Sequence, residues 1–373
     1  MVKQANGQTI IQAFESFSPK HFAVEGDKVG LQIGSLNKAV SKVMVALDVN
    51  ENVVDEAIEE GAELIIAHHP LIFKPIKQLR TDEVYGRTVE KLIKNDIAVY
   101  AAHTNLDVAP GGVNDMMAEA LGLEGTEVLA ETAEDKLKKV AVFVPEEQAD
   151  DVRDALGKAG AGAIGAYSHC SFNTKGTGAF KPGEGTDPFI GEQGKMEYVN
   201  EVRIESIYPA SIEKRVIREM TKAHPYEEVA YDVYDMAVPG EKLGLGRIGY
   251  LNREMTLKDF AEQVKEAFGV SGARVVGDLE RPVRKVAVLG GDGNKYVGTA
   301  MFKGADVFVT GDLYYHVAHD AALEGLMMVD PGHNVEKIMK DGVAKFLAAF
   351  FEEKKYSTSV TASKVNTDPF TFV

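Results

Sequence analysis

A single cysteine, Cys170, is all the thiol in this 373-residue chain. That excludes an intramolecular disulfide framework and fits a reducing compartment, the cytoplasm being the expectation. Any bound metal must then be held mainly by histidine and carboxylate. Basic charge is also scarce, with 41 Lys and Arg against 57 Asp and Glu, for a net charge of −16. This argues against a general nucleic-acid binder, which needs a basic surface, and leaves open a locally basic nucleotide pocket. No apolar run approaches the roughly 20 residues that span a bilayer. The opening MVKQANGQTIIQAFESF reads as an amphipathic helix without the apolar core of a signal peptide. No Walker-type loop is present, so a P-loop nucleotide site is unsupported.

What is present is ordinary globular composition, 45% hydrophobic and 26% charged, in a chain long enough for two or three domains. The run Leu64–Ala67, bounded by Gly61 and Pro70, reads as a buried strand that ends in His68 and His69. Side chains alternate along a strand, so neighbouring histidines reach a common point only where the strand stops. Before it lie the strand KVMVALDV (42–49) and a helix capped by Asn50 and stopped by Gly61, with Val53, Val54, Ala57 and Ile58 on one face. After it come a helix over 82–95, with Val84, Val89, Leu92 and Ile93 inward, and the strand IAVYAAH (97–103). Near-continuous apolar strands alternating with helices imply a parallel sheet covered on both faces, with ligands outside the carboxyl ends. Asp48, His68, His69 and His103 fall at those ends, and Asp107 lies in the loop that follows. The Gly-punctuated segment 24–34 reads as a turn and short strand whose carboxylates could also approach the site.

Residues 129–240 read as a ferredoxin-like α+β module: strand 136–145, helix 146–159, a glycine-rich tract 174–194, strand 197–208, helix 211–223 and strand 229–233. Its His169, Cys170 and His224 are a possible second metal site, with Cys170 as a buried small hydrophobe the alternative. From residue 241 the α/β pattern returns, with strands 285–291, 304–311 and 327–330, a helix over 313–324 carrying His316 and His319, and a long helix over 334–351. A strand over 356–365 and a tail folded back on the core complete the chain. The fold class is therefore α/β: a two-lobed parallel-sheet core from 1–128 and 241–373, interrupted by an inserted α+β domain over 129–240.

His333 and Glu336 stand at the start of the long helix, where Glu336 is either a ligand or a helix-capping carboxylate. With His68, His69, His103 and Asp107 they make more ligands than one four-coordinate ion needs. Two ions about 3.5–4 Å apart, bridged by a carboxylate and water, would use them. Imidazole and carboxylate suit zinc, with iron or manganese as alternatives.

The segments AHHPLIFKPI, AAHTNLDVAPGGVND and DPGHNVEK resemble the dinuclear-metal family related to the yeast NIF-three protein, whose bacterial members are labelled GTP cyclohydrolase I type-two homologs. VEGDKVGLQIG, LDVNENVVDEAIEEGAELIIAHHP and VFVTGDLYYHVAHDA are similar to it too, and 129–240 is similar to the CutA-like or PII-like module of the longer members. The resemblance implies two divalent ions held by His68, His69, Asp107, His333 and Glu336, with Glu336 bridging and His103 a ligand or beside the pair. Many members place the glutamate four residues after the last histidine; here the spacing is three. The resemblance also implies a homo-hexameric ring with the sites facing an internal cavity.

The expected chemistry is hydrolysis of a small molecule, possibly a nucleotide. With GTP, attack at purine C8 would open the imidazole ring and release formate, His103 serving as general acid or base. His316 and His319 are either further proton carriers or a polar helix face, and Lys74 and Lys77 either phosphate contacts or solvated lysines. A phosphoesterase using the same ions and a metal-binding regulatory scaffold are the alternatives.

Overall fold

The structure, a computed structural model, describes residues 3–373. These form two compact units, one comprising the chain up to Ala133 together with Leu243–Val373, the other Glu134–Lys242. No helix among the described residues is long and apolar enough to cross a membrane.

In the larger unit, β1 (Ala5–Asn6) leads into α1 (Gly7–Phe17), which begins where Asn6 Oδ1 accepts the Gln8 N–H. The expected opening helix therefore starts at residue 7, and its first two residues lie outside the described ones. After β2 (Gly30–Ile33), β3 (Ala39–Val40) and β4 (Lys42–Ala46), α2 (Glu51–Glu60) is capped by Asn50, whose Oδ1 accepts the Val53 N–H at 3.0 Å. It ends at Gly61, which takes the left-handed φ of 69° that glycine adopts without strain. Asn50→Ala should lower unfolding stability by about 1 kcal/mol, read from the denaturation midpoint; an unchanged midpoint would mean that the cap is dispensable.

Every residue of β5 (Leu64–Ala67) and of β6 (Ala98–Ala101) is buried, and α3 (Val84–Lys94) lies between them in sequence. Val89 and Leu92 of α3 face inward, but Val84 and Ile93, expected there, are 61% and 60% exposed. At about 100° per residue these two fall a quarter-turn to either side of Leu92. The short α4 (Thr104–Val108) and α5 (Val113–Ala120) follow.

The chain then runs through β7 (Glu124–Asp135) into the smaller unit. There β8 (Leu137–Pro145), α6 (Ala149–Lys158), β9 (Phe172–Phe180), β10 (Glu197–Pro209), α7 (Glu213–Ala223) and β11 (Tyr231–Asp235) give a β-α-β-β-α-β order. Its antiparallel sheet, ordered β11-β8-β10-β9, is the ferredoxin-like arrangement. The first third of the glycine-rich tract is strand: β9 runs to Phe180 before the loop begins.

The chain returns to the larger unit in β12 (Glu241–Thr256), followed by α8 (Leu257–Phe268), β13 (Arg274–Val276), β14 (Pro282–Asp292), α9 (Val297–Phe302), β15 (Val307–Gly311), α10 (Tyr315–Glu324), β16 (Met327–Asp330), α11 (Ile338–Glu353) and β17 (Ser359–Ala362). One sheet is ordered β17-β4-β5-β6-β2, the other β13-β16-β15-β14-β12-β7. Both are mixed rather than wholly parallel. β2 is antiparallel to β6 at one edge, and β12 and β13 run antiparallel to β14 and β16. β2 and β13 are edge strands, which bond only one neighbour and need no crossover helix and so are free to reverse, whereas β12 reverses inside its sheet, between β14 and β7. The parallel triplets β4-β5-β6 and β14-β15-β16 keep their carboxyl ends together.

Candidate metal centre

Strand pairing continues past the named ends: His68 N–H bonds Ala46 O at 3.0 Å, His69 N–H bonds Leu47 O at 2.8 Å, and Ala102 N–H bonds Ala67 O at 2.8 Å. The backbone carrying both histidines is thus fixed before Pro70 turns it away. His103 sits at the N-terminus of α4, and Asp107 follows one turn later, its N–H bonding His103 O. In the second half the expected long helix opens instead as a 3₁₀ turn, His333–Lys337, before α11. Residues i and i+3 eclipse in that geometry, so His333 and Glu336 point the same way. The three-residue spacing suits this turn.

The four imidazoles share one arrangement. Nδ1 of His68 is 2.8 Å from Ala102 O, that of His69 2.6 Å from Asp48 Oδ1, that of His103 2.8 Å from Asp27 Oδ1, and that of His333 2.7 Å from Asp312 Oδ2. A carbonyl or carboxylate oxygen only accepts, so each Nδ1 carries the proton and each Nε2 is left to face the centre. Partners of this kind fix the tautomer of metal-binding histidines. Thr367 Oγ1 and the Thr104 hydroxyl brace the carboxylates of Asp48 and Asp27 in turn.

Glu336 Oε2 lies 3.1 Å from Nε2 of both His69 and His333 and 3.6 Å from that of His68, which is 3.6 Å from Asp107 Oδ1. His68 Nε2 and Asp107 Oδ1 are buried and have no hydrogen-bond partner. A buried orphan costs about 1–3 kcal/mol unless something satisfies it, and a cation between these two lone-pair atoms would satisfy both. Three groups have ligand atoms within 4.8 Å of one another: His68, Asp107 and Glu336; His69, His333 and Glu336; and His68, His69 and His103. Two of them share Glu336. Nitrogen and oxygen donors converging on a buried point fit divalent metal ions.

Glycine makes room for the carboxylate. A Cβ on Gly290 or Gly291, at the end of β14, would lie 2.9 Å from Glu336 Oε1. Asn114 joins the two halves here: its Nδ2 donates to Asp107 O at 2.9 Å and its Oδ1 accepts from Gly290 N–H at 3.0 Å. Asn114 does not stand out in the sequence; Asp27 falls in the 24–34 segment whose carboxylates could approach the site, and Asp312 follows the strand 304–311. Asp312 holds a left-handed φ of 53°, which no sequence pattern announces.

Electrostatics follow from this packing. Burial disfavours charge on His69, but its hydrogen bonds to Asp48 and Glu336 raise its pKa to about 10. The Glu336 hydrogen bond raises His333 to about 9, against burial. Burial pushes Asp107 up to about 6 even with His68 alongside, whereas the surrounding imidazoles hold Glu336 well below the carboxylate range despite its burial. Burial of Asp27 and Asp48 is likewise outweighed by their histidines, and both are lowered.

Metal-free protein at pH 7.5 should therefore carry protons on both His69 and His333 that ligation must displace. Binding should release at least about two protons per chain, the pKa of His68 being raised as well, against burial, by Asp107 and Glu336, and affinity should rise with pH up to 9–10. Titration in weak buffer measures the count; no release would mean that these imidazoles are not ligands.

Not every candidate joins the cluster. His224 is spent on the backbone, Nε2–H donating to Phe143 O at 2.9 Å and Nδ1 accepting from Tyr226 N–H at 3.1 Å. It has no lone pair for a metal, and the possible second site with His169 and Cys170 does not form among the described residues. His316 and His319 flank the Tyr315 ring on α10 and are absent from the metal-capable groups. Lys74 lines an open surface hollow with Phe73 and Tyr85.

Comparison with known proteins places this geometry in context. A family model described as Duf34/NIF3 (NGG1p interacting factor 3) matches residues 5–369. Proteins named GTP cyclohydrolase 1 type 2 homolog from Halalkalibacterium halodurans and Bacillus subtilis are 62% and 61% identical, each match covering 100% of both chains. A crystal structure of a Bacillus cereus protein related to NIF3 superposes with a TM-score of 0.94 at 63% identity, over 100% of both chains.

Proposed function

This chain belongs to the Duf34/NIF3 family, and from that premise we propose that it is a dinuclear metal-dependent hydrolase of a small molecule, with opening of the GTP imidazole ring as the specific reaction. The observation that carries the reading is the convergence of four oriented Nε2 atoms and two buried carboxylates, with Glu336 common to two of the groups. His68, Asp107 and Glu336 would hold one ion and His69, His333 and Glu336 the other. Zinc is the preferred metal, with iron or manganese as alternatives. Such ions, when bound, polarise an electrophile and make nearby water more acidic.

The chain's own residues do the rest. The His68 side chain is fully buried and that of Glu336 is 4% exposed, whereas His69, His103 and His333 are 24%, 23% and 37% exposed. A substrate would therefore approach over those three. His103, its tautomer fixed by Asp27, presents Nε2 from the exposed side and serves as general acid or base. At C8 of GTP a first hydrolysis would open the ring to a formamide and a second would release formate. The relatives' printed name supports this substrate. We place the protein in the cytoplasm as a homo-hexamer, on the family resemblance. The order and pairing of the smaller unit support a CutA-like module.

His103→Gln should lower formate release from GTP at least about a hundredfold while metal content is retained. Loss of metal with activity would make His103 a ligand instead. Phosphate release without formate from the unaltered protein would replace the cyclohydrolase reading with a phosphoesterase one.

A further inference from the structure

The motif His224-Pro225-Tyr226-Glu227-Glu228 takes no part in the metal centre. It helps to enclose a cavity of about 520 Å³ within the smaller unit. The two backbone bonds of His224 set Phe143 and Tyr226 in place, and because one ring nitrogen donates and the other accepts, the ring is held neutral. Tyr226 packs its ring 5.7 Å from Phe180 and 6.3 Å from Phe189, forming an aromatic wall. The loop after β9 closes over it. Asp187 N–H meets the Glu227 carboxylate at 3.2 and 3.3 Å, Gln193 Nε2 donates to Thr186 O at 2.7 Å, and Gly194 N–H bonds Pro182 O at 2.8 Å.

Glu201 lies in this cavity and is only 9% exposed. Its hydrogen bond is from the Tyr226 hydroxyl to Oε1, at 3.1 Å, and no ion pair joins it to a Lys, Arg or His among the described residues; nearby are the His224 ring, which feels its charge, and Arg203, which lies 5.7 Å from the Phe143 ring centroid. A Cβ on Gly178 would sit 2.1 Å from Glu201 Oε2, so glycine there leaves the space that the carboxylate fills. A carboxylate buried in its charged form without an ion-pair partner is costly. The other charges on the lining are Glu227 and Glu228 against Lys181, a balance that repels a phosphate-bearing ligand.

We propose that this cavity binds a small organic cation, a primary amine or amidine on an apolar body. Its N–H groups meet Glu201 and its body lies among Phe143, Phe180, Phe189 and Tyr226. The pocket combines apolar walls with one convergent charged group, the usual make-up of a small-molecule site. It needs nothing from the metal centre.

The test is calorimetry on full-length, metal-loaded protein with benzamidine and phenethylamine, and with benzamide and benzoate as neutral and anionic counterparts. Both cations should bind with submillimolar Kd, and the counterparts should bind at least about tenfold more weakly. Glu201→Gln should abolish that preference and leave metal content unchanged. Should Glu201→Gln fail to fold, Phe189→Ala at the 56% exposed rim should weaken benzamidine several-fold. No saturable binding of either cation at millimolar concentration, equal binding of the counterparts, or affinity untouched by these substitutions would overturn the proposal.

Discussion

Glu336→Ala is expected to abolish binding of both ions of the proposed dinuclear centre. One oxygen of this carboxylate stands 3.1 Å from two imidazoles and 3.6 Å from a third. No other residue belongs to both the Asp107 group and the His333 group. Partners that merely orient a ligand are worth about 10–100-fold in metal affinity, so losing a shared ligand should exceed the top of that range. The substitution also removes the anion that raises His69 and His333, so the proton release at pH 7.5 should fall with the metal content. Undiminished occupancy by both ions would show that Glu336 bridges nothing and only begins the helix.

Asn114→Ala is expected to be the most destabilising single change at the centre. The side chain is 1% exposed and satisfies two buried backbone groups, Asp107 O and Gly290 N–H, from opposite halves of the larger unit. Alanine fills the position but leaves both groups unpaired, at a cost of about 2–5 kcal/mol in total. Denaturant unfolding of chelator-stripped protein separates this loss from any loss of metal. Metal affinity should also fall, because the backbone of Asp107 and the Gly290 cradle beneath Glu336 lose their common tether. An unfolding midpoint close to that of the unaltered protein would contradict this account of how the halves are joined.

The residues at the centre were legible because chemistry and topology coincide in them. An apolar strand that stops at His68-His69, another that stops near His103, and a Pro-Gly-His turn before a helix each leave a sequence signal, and the structure brings all of these residues together. Their supporting partners left a weaker signal: the carboxylates of segment 24–34 and Asp48 could be placed near the site but not against a particular histidine. Asp27 lies in a Gly-rich turn, where an aspartate is explained by turn chemistry alone. Asp312 aims at His333 only because its backbone takes a left-handed conformation. Asp48 was visible at a strand end, but its role depends on the ring orientation of His69.

Elsewhere the pattern failed where it was diluted. β12 carries Gly244, Gly246 and Gly249 along its length, which dilutes any strand signal, although it is one of the six strands of its sheet. The antiparallel direction of β2 was likewise hidden, because a four-residue edge strand has the same composition in either sense. Val84 and Ile93 are apolar and so suggest an inward face, but the helical angle turns both to the surface.

The most direct test of the central claim is elemental analysis of gently purified protein, expressed as metal per chain. The proposed dinuclear centre predicts about two ions per chain, zinc first and iron or manganese otherwise. One ion or none, even after reloading at pH 8 to 9, would contradict a dinuclear centre.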